Sequence, residues 1–476
     1  MSGPRAPVRI HRGPNRLRPL QQRSSQRFAT GWPLKYLLVG FPVWWILGLG
    51  TFVFLLVALP MAIELRRWSR VRRLALPPAW WLWALFLAWK VLGLLVLTES
   101  PPGTHAGSVS GRSLSIAFSM VAYASMTITV LYVGNLRRPD ATDDQDAADP
   151  VSTAIGRWMG VFFLTVWAGG MLGVVAPGFS FRSPMELLLP DSLAGQPYVA
   201  ALVHPVAAQV QNVIGIADAR PAAPFGYTNW WGHVVSILLV WFIAVWILSS
   251  RGWWRVGLVL IAVSTAIPLV LSLNRGVWIG LAVTLVWVIG RLLWQRRVTA
   301  AAPVMLAGAA MLAVVVASPL GSVIAARFDS GGSTSLRAFV ARLSWAAVQH
   351  SPVIGYGGNR HADGSVNSIG TGPTPDCLDC GSVPTGSTGQ LWSMLFDHGV
   401  VGTIFFFGFF AVILWRYRRA RGAVNEAALI TVMLVFVYMF FYTTMPVSTM
   451  LTMIAVGVLW RSDTVRANGQ TTARLP

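Results

Sequence analysis

"VLSLNRGVWIGLAV", residues 270 to 283, places one arginine between two apolar runs. If the runs formed a single membrane-buried segment, Arg275 would sit inside it, at a cost of about 3 kcal/mol on insertion scales. If they are two segments, at residues 253 to 271 and 276 to 293, each is about long enough to cross a bilayer and Arg275 marks the turn between them. The lengths favour two helices meeting at a membrane surface. An arginine kept at that position marks a functional site by default.

The rest of the chain fits this picture. Of its 476 residues, 55% are hydrophobic and only 11% are charged, against about 25% charged in soluble domains. No stretch of mixed composition is long enough to fold alone, so the expectation is an all-α polytopic membrane protein. Apolar segments lie near residues 34 to 48, 50 to 65, 79 to 98, 113 to 134, 153 to 175, 232 to 250, 253 to 271, 276 to 293, 302 to 320, 388 to 414, 426 to 443 and 446 to 460. If each crosses once, there are about 12 transmembrane helices. The first two segments are short for spans, so a tight hairpin around Gly48 to Gly50 is expected.

The net charge of +20 could suggest nucleic acid, but its location argues otherwise. The basic clusters are Arg5 to Arg27, "RRWSRVRR" from Arg66, "NLRR" from Asn135, "RGWWR" from Arg251, "RLLWQRR" from Arg291 and "WRYRRARG" from Trp415. Each abuts an apolar run, and the span count puts all of them on one side, as the positive-inside rule requires. Membrane lipid, not nucleic acid, is the expected partner of this charge. The expected organisation is a basic cytoplasmic tail over 1–33, a membrane domain over 34–460 and a cytoplasmic tail over 461–476, with both termini inside. The tail carries no cleavable-signal pattern.

Two long loops then face outward, at residues 176–231 and 321–387. The first holds apolar patches too short to span, which suggests interfacial or re-entrant pieces. The second contains "LRAFVARLSWAAVQHSPVIGYGG", residues 336 to 358, with the spacing of an amphipathic helix that stops at Pro352 and Gly355; the rest reads as irregular loop. Outward cations are few: Arg182, Arg220, Arg275, Arg327, Arg337, Arg342 and Arg360. Guanidinium groups match phosphate oxygens bidentately and stay charged near lipid. The outward acidic pairs, Glu186 with Asp191 and Asp376 with Asp379, do not form a metal box, so no metal or other cofactor is expected.

Three segments carry a resemblance. "SLNRGVWIGL" resembles the "SRGxWLG" signature of the O-antigen ligase and Wzy-type polymerase superfamily. The 336–358 segment is similar to that family's outer helix with its "xxPxxGxG" ending, and "ADARPAAPFGYTNWWG", residues 217 to 232, to its segment in which an arginine precedes the next span. Its members are glycosyltransferases of the bacterial cytoplasmic membrane that move a glycan from a polyprenyl-diphosphate carrier. The resemblance implies that Arg220, Arg275 and Arg337 hold the donor diphosphate. It implies an inverting transfer to an envelope glycan or lipid acceptor, whether of ligase or polymerase type. Tyr227, Asn229, Asn274, Arg342, Thr388 and Gln390 are candidates for substrate contact beside them.

The sequence departs from the pattern at one point. The family carries a histidine just before the tenth span, where "PTGSTGQLWSMLFDHGVVG" has Thr388. Threonine is no general base near neutral pH. His361, Asp376 and Asp379, in the same loop, are the nearby candidates for the acceptor's proton; His361 has the suitable ordinary pKa, although a solvated loop histidine without a task is the plainer reading of it. Cys377 and Cys380, on the oxidising side, are expected to form a small disulfide. A transporter or flippase for the same lipid-linked glycans, or a non-catalytic scaffold for envelope synthesis, remains the alternative.

Overall fold

The runs flanking Arg275 are separate helices that meet at that residue in the computed structural model of the chain. The structure describes residues 30–102, 104–105, 109–136, 149–191, 197–212, 217–318, 320–322, 324–325, 332–358, 360–363, 382–386 and 388–472.

In chain order the elements begin with α1 (Trp32–Val39), α2 (Phe41–Ile46), α3 (Val53–Leu56), α4 (Ala58–Ser69), α5 (Trp80–Leu92), β1 (Thr104–His105), α6 (Val109–Asn135) and α7 (Pro150–Val175). Then come α8 (Pro184–Leu188), α9 (Pro197–Val203), β2 (Ala208–Asn212), β3 (Ala217–Pro221), α10 (Thr228–Trp241), α11 (Gly252–Ser264), α12 (Ala266–Leu271), α13 (Arg275–Trp294) and α14 (Val298–Ala317). The chain closes with α15 (Gly332–His350), β4 (His361–Asp363), β5 (Ser382–Pro384), α16 (Gln390–Tyr417), α17 (Ala423–Tyr438) and α18 (Val447–Thr472). Among the described residues, 7 helical stretches are long and apolar enough to cross a membrane, and Trp80–Val96 and Ala423–Tyr438 are shorter apolar helices. The protein is a mostly helical, multi-pass membrane protein.

The first two apolar segments fold as broken helices joined by a turn where the hairpin was expected. Trp32 donates its indole N–H to Glu64 at 2.8 Å, so the start of the first segment lies beside the end of the second. At the turn, Gly48 takes the left-handed backbone (φ +76) and the amide of Met185 bonds to the Leu47 carbonyl at 3.2 Å. The hairpin thus spans between two ends of the bundle. Its middle reaches the segment after α7, and its termini meet Tyr132, whose hydroxyl also donates to Glu64 at 2.6 Å.

Helix α18 is the centre of the bundle: residues 446–461 are all buried. Its Ser and Thr side chains do not need water, because Thr452 bonds back to the Ser448 carbonyl at 2.9 Å and Thr449 to Thr444 Oγ1 at 2.9 Å. Around it the core is strongly aromatic, with Trp83 against Phe86, Phe409 and Phe410, and Trp241 donating to Thr431 at 2.8 Å. Tryptophan is useful here because its one donor can reach a helix hydroxyl while the ring fills the gap.

The two ends differ in charge chemistry. At one end, Arg72 donates to the Asn135 carbonyl, Arg291 to the carbonyls of Arg418 and Ala420, and Arg461 to Asp149 at 2.5 Å. Burial opposes a charge on Asp149, but the hydrogen bond and positive charge of Arg461 outweigh it and hold the carboxyl below its ordinary range. This is the basic end. The opposite, or loop, end carries the two long segments that were expected to face outward.

Among the described residues, the loop end adds five short strands to an otherwise mostly helical chain. Strands β2 and β3 form an antiparallel hairpin with Gln209 opposite Arg220, inside a segment where short apolar or re-entrant pieces were expected. The backbone groups of its two strands that face each other are paired, which suits a chain lying at a membrane surface. Strands β4 and β5, in the part of the 321–387 loop that the sequence suggested was irregular, make a second antiparallel sheet with β1, which comes from the segment between α5 and α6. The amphipathic helix in that loop is present as α15 and ends before Pro352.

Candidate functional site

Arg220 is delivered by the β-hairpin. Thr228, the first residue of α10, fastens the hairpin by donating its amide to Gln209 at 3.2 Å and its hydroxyl to the Arg220 carbonyl at 3.3 Å. The Arg220 side chain is buried. Its Nε donates to the Ser272 carbonyl at 2.7 Å, and one Nη donates to Asn229 Oδ1 at 3.5 Å. The arginine therefore ties the start of α10 to the turn that precedes α13.

That turn is strained in a directed way. Leu273 is buried with φ at +53, a conformation that costs an L-residue about 1–2 kcal/mol. It aims Asn274 back onto the helix it precedes. Asn274 caps α13 by accepting from the Val277 amide at 3.3 Å, and its Nδ2 donates to Asn229 Oδ1 at 3.2 Å. Arg275 follows as the first residue of α13, half-buried. A cation at a helix N-terminus opposes the helix dipole. An anion placed there would relieve both.

The third arginine arrives from α15. The Arg337 guanidinium stacks over the ring of Tyr442 at 4.8 Å from its centroid. The same ring packs against Gly276, the neighbour of Arg275, where a Cβ would come within 2.2 Å of Cε2. Gln390, buried at the start of α16, donates its amide to the Tyr442 carbonyl at 2.9 Å and accepts from the Thr444 amide at 3.3 Å through its side chain. Behind Tyr442 lies His233, its ring 5.0 Å away and stacked on Tyr438 at 4.5 Å. Both His233 ring nitrogens are buried without a hydrogen-bond partner among the described residues. Arg220, Asn229, Asn274, Gly276, Tyr442 and Arg337 thus form one continuous set at the loop end, with Arg275 held in its middle by its chain neighbours.

The segment after α15 wedges into α16. Gly399 breaks α16 with φ +61, and its neighbours bond to the loop instead: the Tyr356 amide reaches the Phe396 carbonyl at 3.0 Å and the Gly357 amide the Asp397 carbonyl at 2.8 Å. Gly355 and Gly357 both take positive φ, and a Cβ at Gly357 would collide with the Gly93 carbonyl oxygen at 2.2 Å. The glycines of the "PVIGYGG" pattern are needed for backbone-to-backbone contact. Asp397 and His398 sit at this kink. Among the described residues, Asp397 Oδ1 and both His398 ring nitrogens are buried without a partner, and the Lys90 ammonium lies over the nearby Tyr123 ring at 5.3 Å.

Other sequence candidates fall as follows. Thr388 lies just before α16, and its Oγ1 is buried without a hydrogen-bond partner among the described residues. Tyr227 precedes α10 with its ring 5.0 Å from that of Trp230. Arg342 is on the exposed side of α15, and His361 is in β4, opposite His105 on one side and Pro384 on the other. Cys377, Cys380, Asp376, Asp379 and Arg327 lie outside the described residues. Arg360, one of the outward cations, is buried and spends its donors on backbone, reaching Glu99 O at 2.6 Å, Gly358 O at 2.6 Å and Tyr356 O at 3.0 Å. It closes the loop between α5 and the wedge. Tyr442 and His233 were not anticipated; one is an aromatic residue in an aromatic run, the other a lone histidine in an apolar helix, and nothing in the sequence distinguishes either.

No curated protein sequence matches the chain. Residues 258–376 match the family model described as O-antigen ligase. The match takes in α13 with Arg275 and α15 with Arg337, whereas Arg220, Tyr442 and the start of α16 lie outside it. Over those residues the chain is similar to the O-antigen ligase family, and its apolar helices make it a multi-pass membrane protein.

Proposed function

We propose that the protein is a membrane glycosyltransferase, of ligase or polymerase type, whose donor is a glycan on a polyprenyl diphosphate. The acceptor is a hydroxyl of a saccharide or envelope component at the outer face of the cytoplasmic membrane. The supporting observation is the continuity of Arg220, Arg275 and Arg337 through Asn229, Asn274 and Tyr442, from three segments far apart in the chain.

The chemistry follows from the charges. In the transfer, the acceptor oxygen bonds to the anomeric carbon as the bond from that carbon to the phosphate oxygen breaks, so the anomeric centre inverts. Negative charge builds on the departing diphosphate, and arginines already in place stabilise it without reorganising. Arg337 and Arg275 are assigned to the diphosphate, with Arg220 holding the turn that presents Arg275. Asn229, Asn274, Gln390 and Tyr227 order the same floor. With Thr388 in the position where relatives carry a histidine, leaving-group stabilisation takes the larger share of catalysis, and His361 is the candidate for the acceptor's proton.

The test is release of polyprenyl diphosphate from a lipid-linked glycan in proteoliposomes, comparing the wild type with Arg275→Lys and Arg337→Ala. Lost turnover in both variants, with melting temperature retained, is the expected result. Unchanged turnover in both would mean that the arginines are membrane anchors. A wild type that binds the donor without releasing diphosphate would indicate transport or scaffolding instead.

A further inference from the structure

We propose that Tyr442 is a positioning residue that seats Arg337 for the donor diphosphate, an inference that rests on the function proposed above. The loop-end arginines use their donors differently. Arg220 and Arg360 spend theirs on carbonyls and an amide oxygen, which fixes backbone. Among the described residues Arg337 makes no hydrogen bond or ion pair, and its contact is the face of the Tyr442 ring. A guanidinium lying over an aromatic face keeps its N–H groups in its own plane, pointing outward from the ring. The ring therefore restrains the cation without consuming the donors that a diphosphate would accept.

The seat is rigid before substrate arrives. Tyr442 is buried, its amide donates to the Tyr438 carbonyl at 2.8 Å and its carbonyl accepts from Gln390 at 2.9 Å. One ring edge packs on the Gly276 backbone, and His233 flanks the ring at an interplanar angle of 63°. Four helices thus set the plane on which Arg337 rests, and one of them, α13, begins with Arg275. The arrangement couples two arginines that otherwise belong to different segments. Neither a leucine nor an alanine at position 442 would provide a face for the cation, whereas phenylalanine would.

The experiment compares Tyr442→Phe and Tyr442→Leu, each with Arg337 present and with Arg337→Ala, for diphosphate release and for thermal stabilisation by added decaprenyl diphosphate. The expected result is that Tyr442→Phe stays within about twofold of wild type, while Tyr442→Leu raises the donor KM about tenfold. In the Arg337→Ala background, followed through its slow residual turnover over long incubations, Tyr442→Leu should cause no further loss, because the two residues act as one unit. Decaprenyl diphosphate should stabilise wild type and Tyr442→Phe and fail to stabilise Tyr442→Leu. An equal loss from Tyr442→Leu in both backgrounds, or no loss at all in an active enzyme, overturns the positioning role. A wild type that neither releases diphosphate nor is stabilised by decaprenyl diphosphate overturns the underlying function and this inference with it.

Discussion

Gly276→Ala tests the site at its tightest point. The added methyl group would lie 2.2 Å from Cε2 and 3.0 Å from Cδ2 of Tyr442. Carbon atoms rest at about 3.5–4.0 Å, so ring or helix must move by more than about 1 Å. The ring has little room to yield, with His233 at 5.0 Å and the Arg337 guanidinium at 4.8 Å. Overpacking of this kind costs about 1–3 kcal/mol in stability, and a displacement of about 1 Å at reacting groups costs about 100-fold in rate. The expected outcome in proteoliposomes is a protein that inserts normally, melts a little lower and turns over donor about 30- to 100-fold more slowly. Gly257→Ala is the control, because nothing lies within 4 Å of its added methyl group. If Gly276→Ala turned over donor within twofold of Gly257→Ala, the packing of Tyr442 against α13 would have no part in catalysis.

Other expectations follow from the same geometry. Asn274→Ala removes a helix cap worth about 1 kcal/mol and the bond to Asn229, so kcat should fall more than stability does; kinetics beside a thermal melt would show a purely structural role if the two fell in proportion. Arg461→Met leaves the buried Asp149 carboxylate unpaired and should destabilise by about 3–5 kcal/mol, whereas adding Asp149→Asn should restore much of the loss. The folded carboxyl of Asp149 titrates below its unfolded value, so the pair's stabilisation is complete above about pH 4 and is lost as pH falls through the folded value. Melting of wild type against Asp149→Asn should therefore converge in acid, and a difference independent of pH would contradict this. Gly357→Ala should prevent stable insertion, because φ is +73 and the methyl group meets the Gly93 carbonyl; normal expression and melting would show that the wedge into α16 tolerates displacement.

The sequence reading was most successful where a pattern is local. Apolar length located helical stretches, 7 of which among the described residues are long and apolar enough to cross a membrane, and the spacing from Arg337 to Pro352 gave α15 and its end. Arg275 stood out because a charge between apolar runs is costly, whereas Arg220 and Arg337 were picked out by the resemblance of their segments. The hairpin of β2 and β3 escaped notice because its two strands are short and their alternation is diluted by alanine. Arg360 looked like an outward cation of the same kind as Arg337, yet it is bonded to carbonyls contributed from both Leu97 to Glu99 and Tyr356 to Gly358. Tyr442 is the clearest case. Its environment is assembled from α13, α15, α16 and α10, and no window of sequence contains more than one of those neighbours.

Strands β4 and β5 hold Asp363 opposite Ser382, so the chain leaves and returns at one point of the loop end. A segment grafted next to either residue begins and ends on paired backbone. That makes the interval a natural insertion port. An epitope or a rigid fiducial grafted there would report which side of the membrane the loop end faces in intact cells, and would give a small membrane protein a visible landmark for electron microscopy.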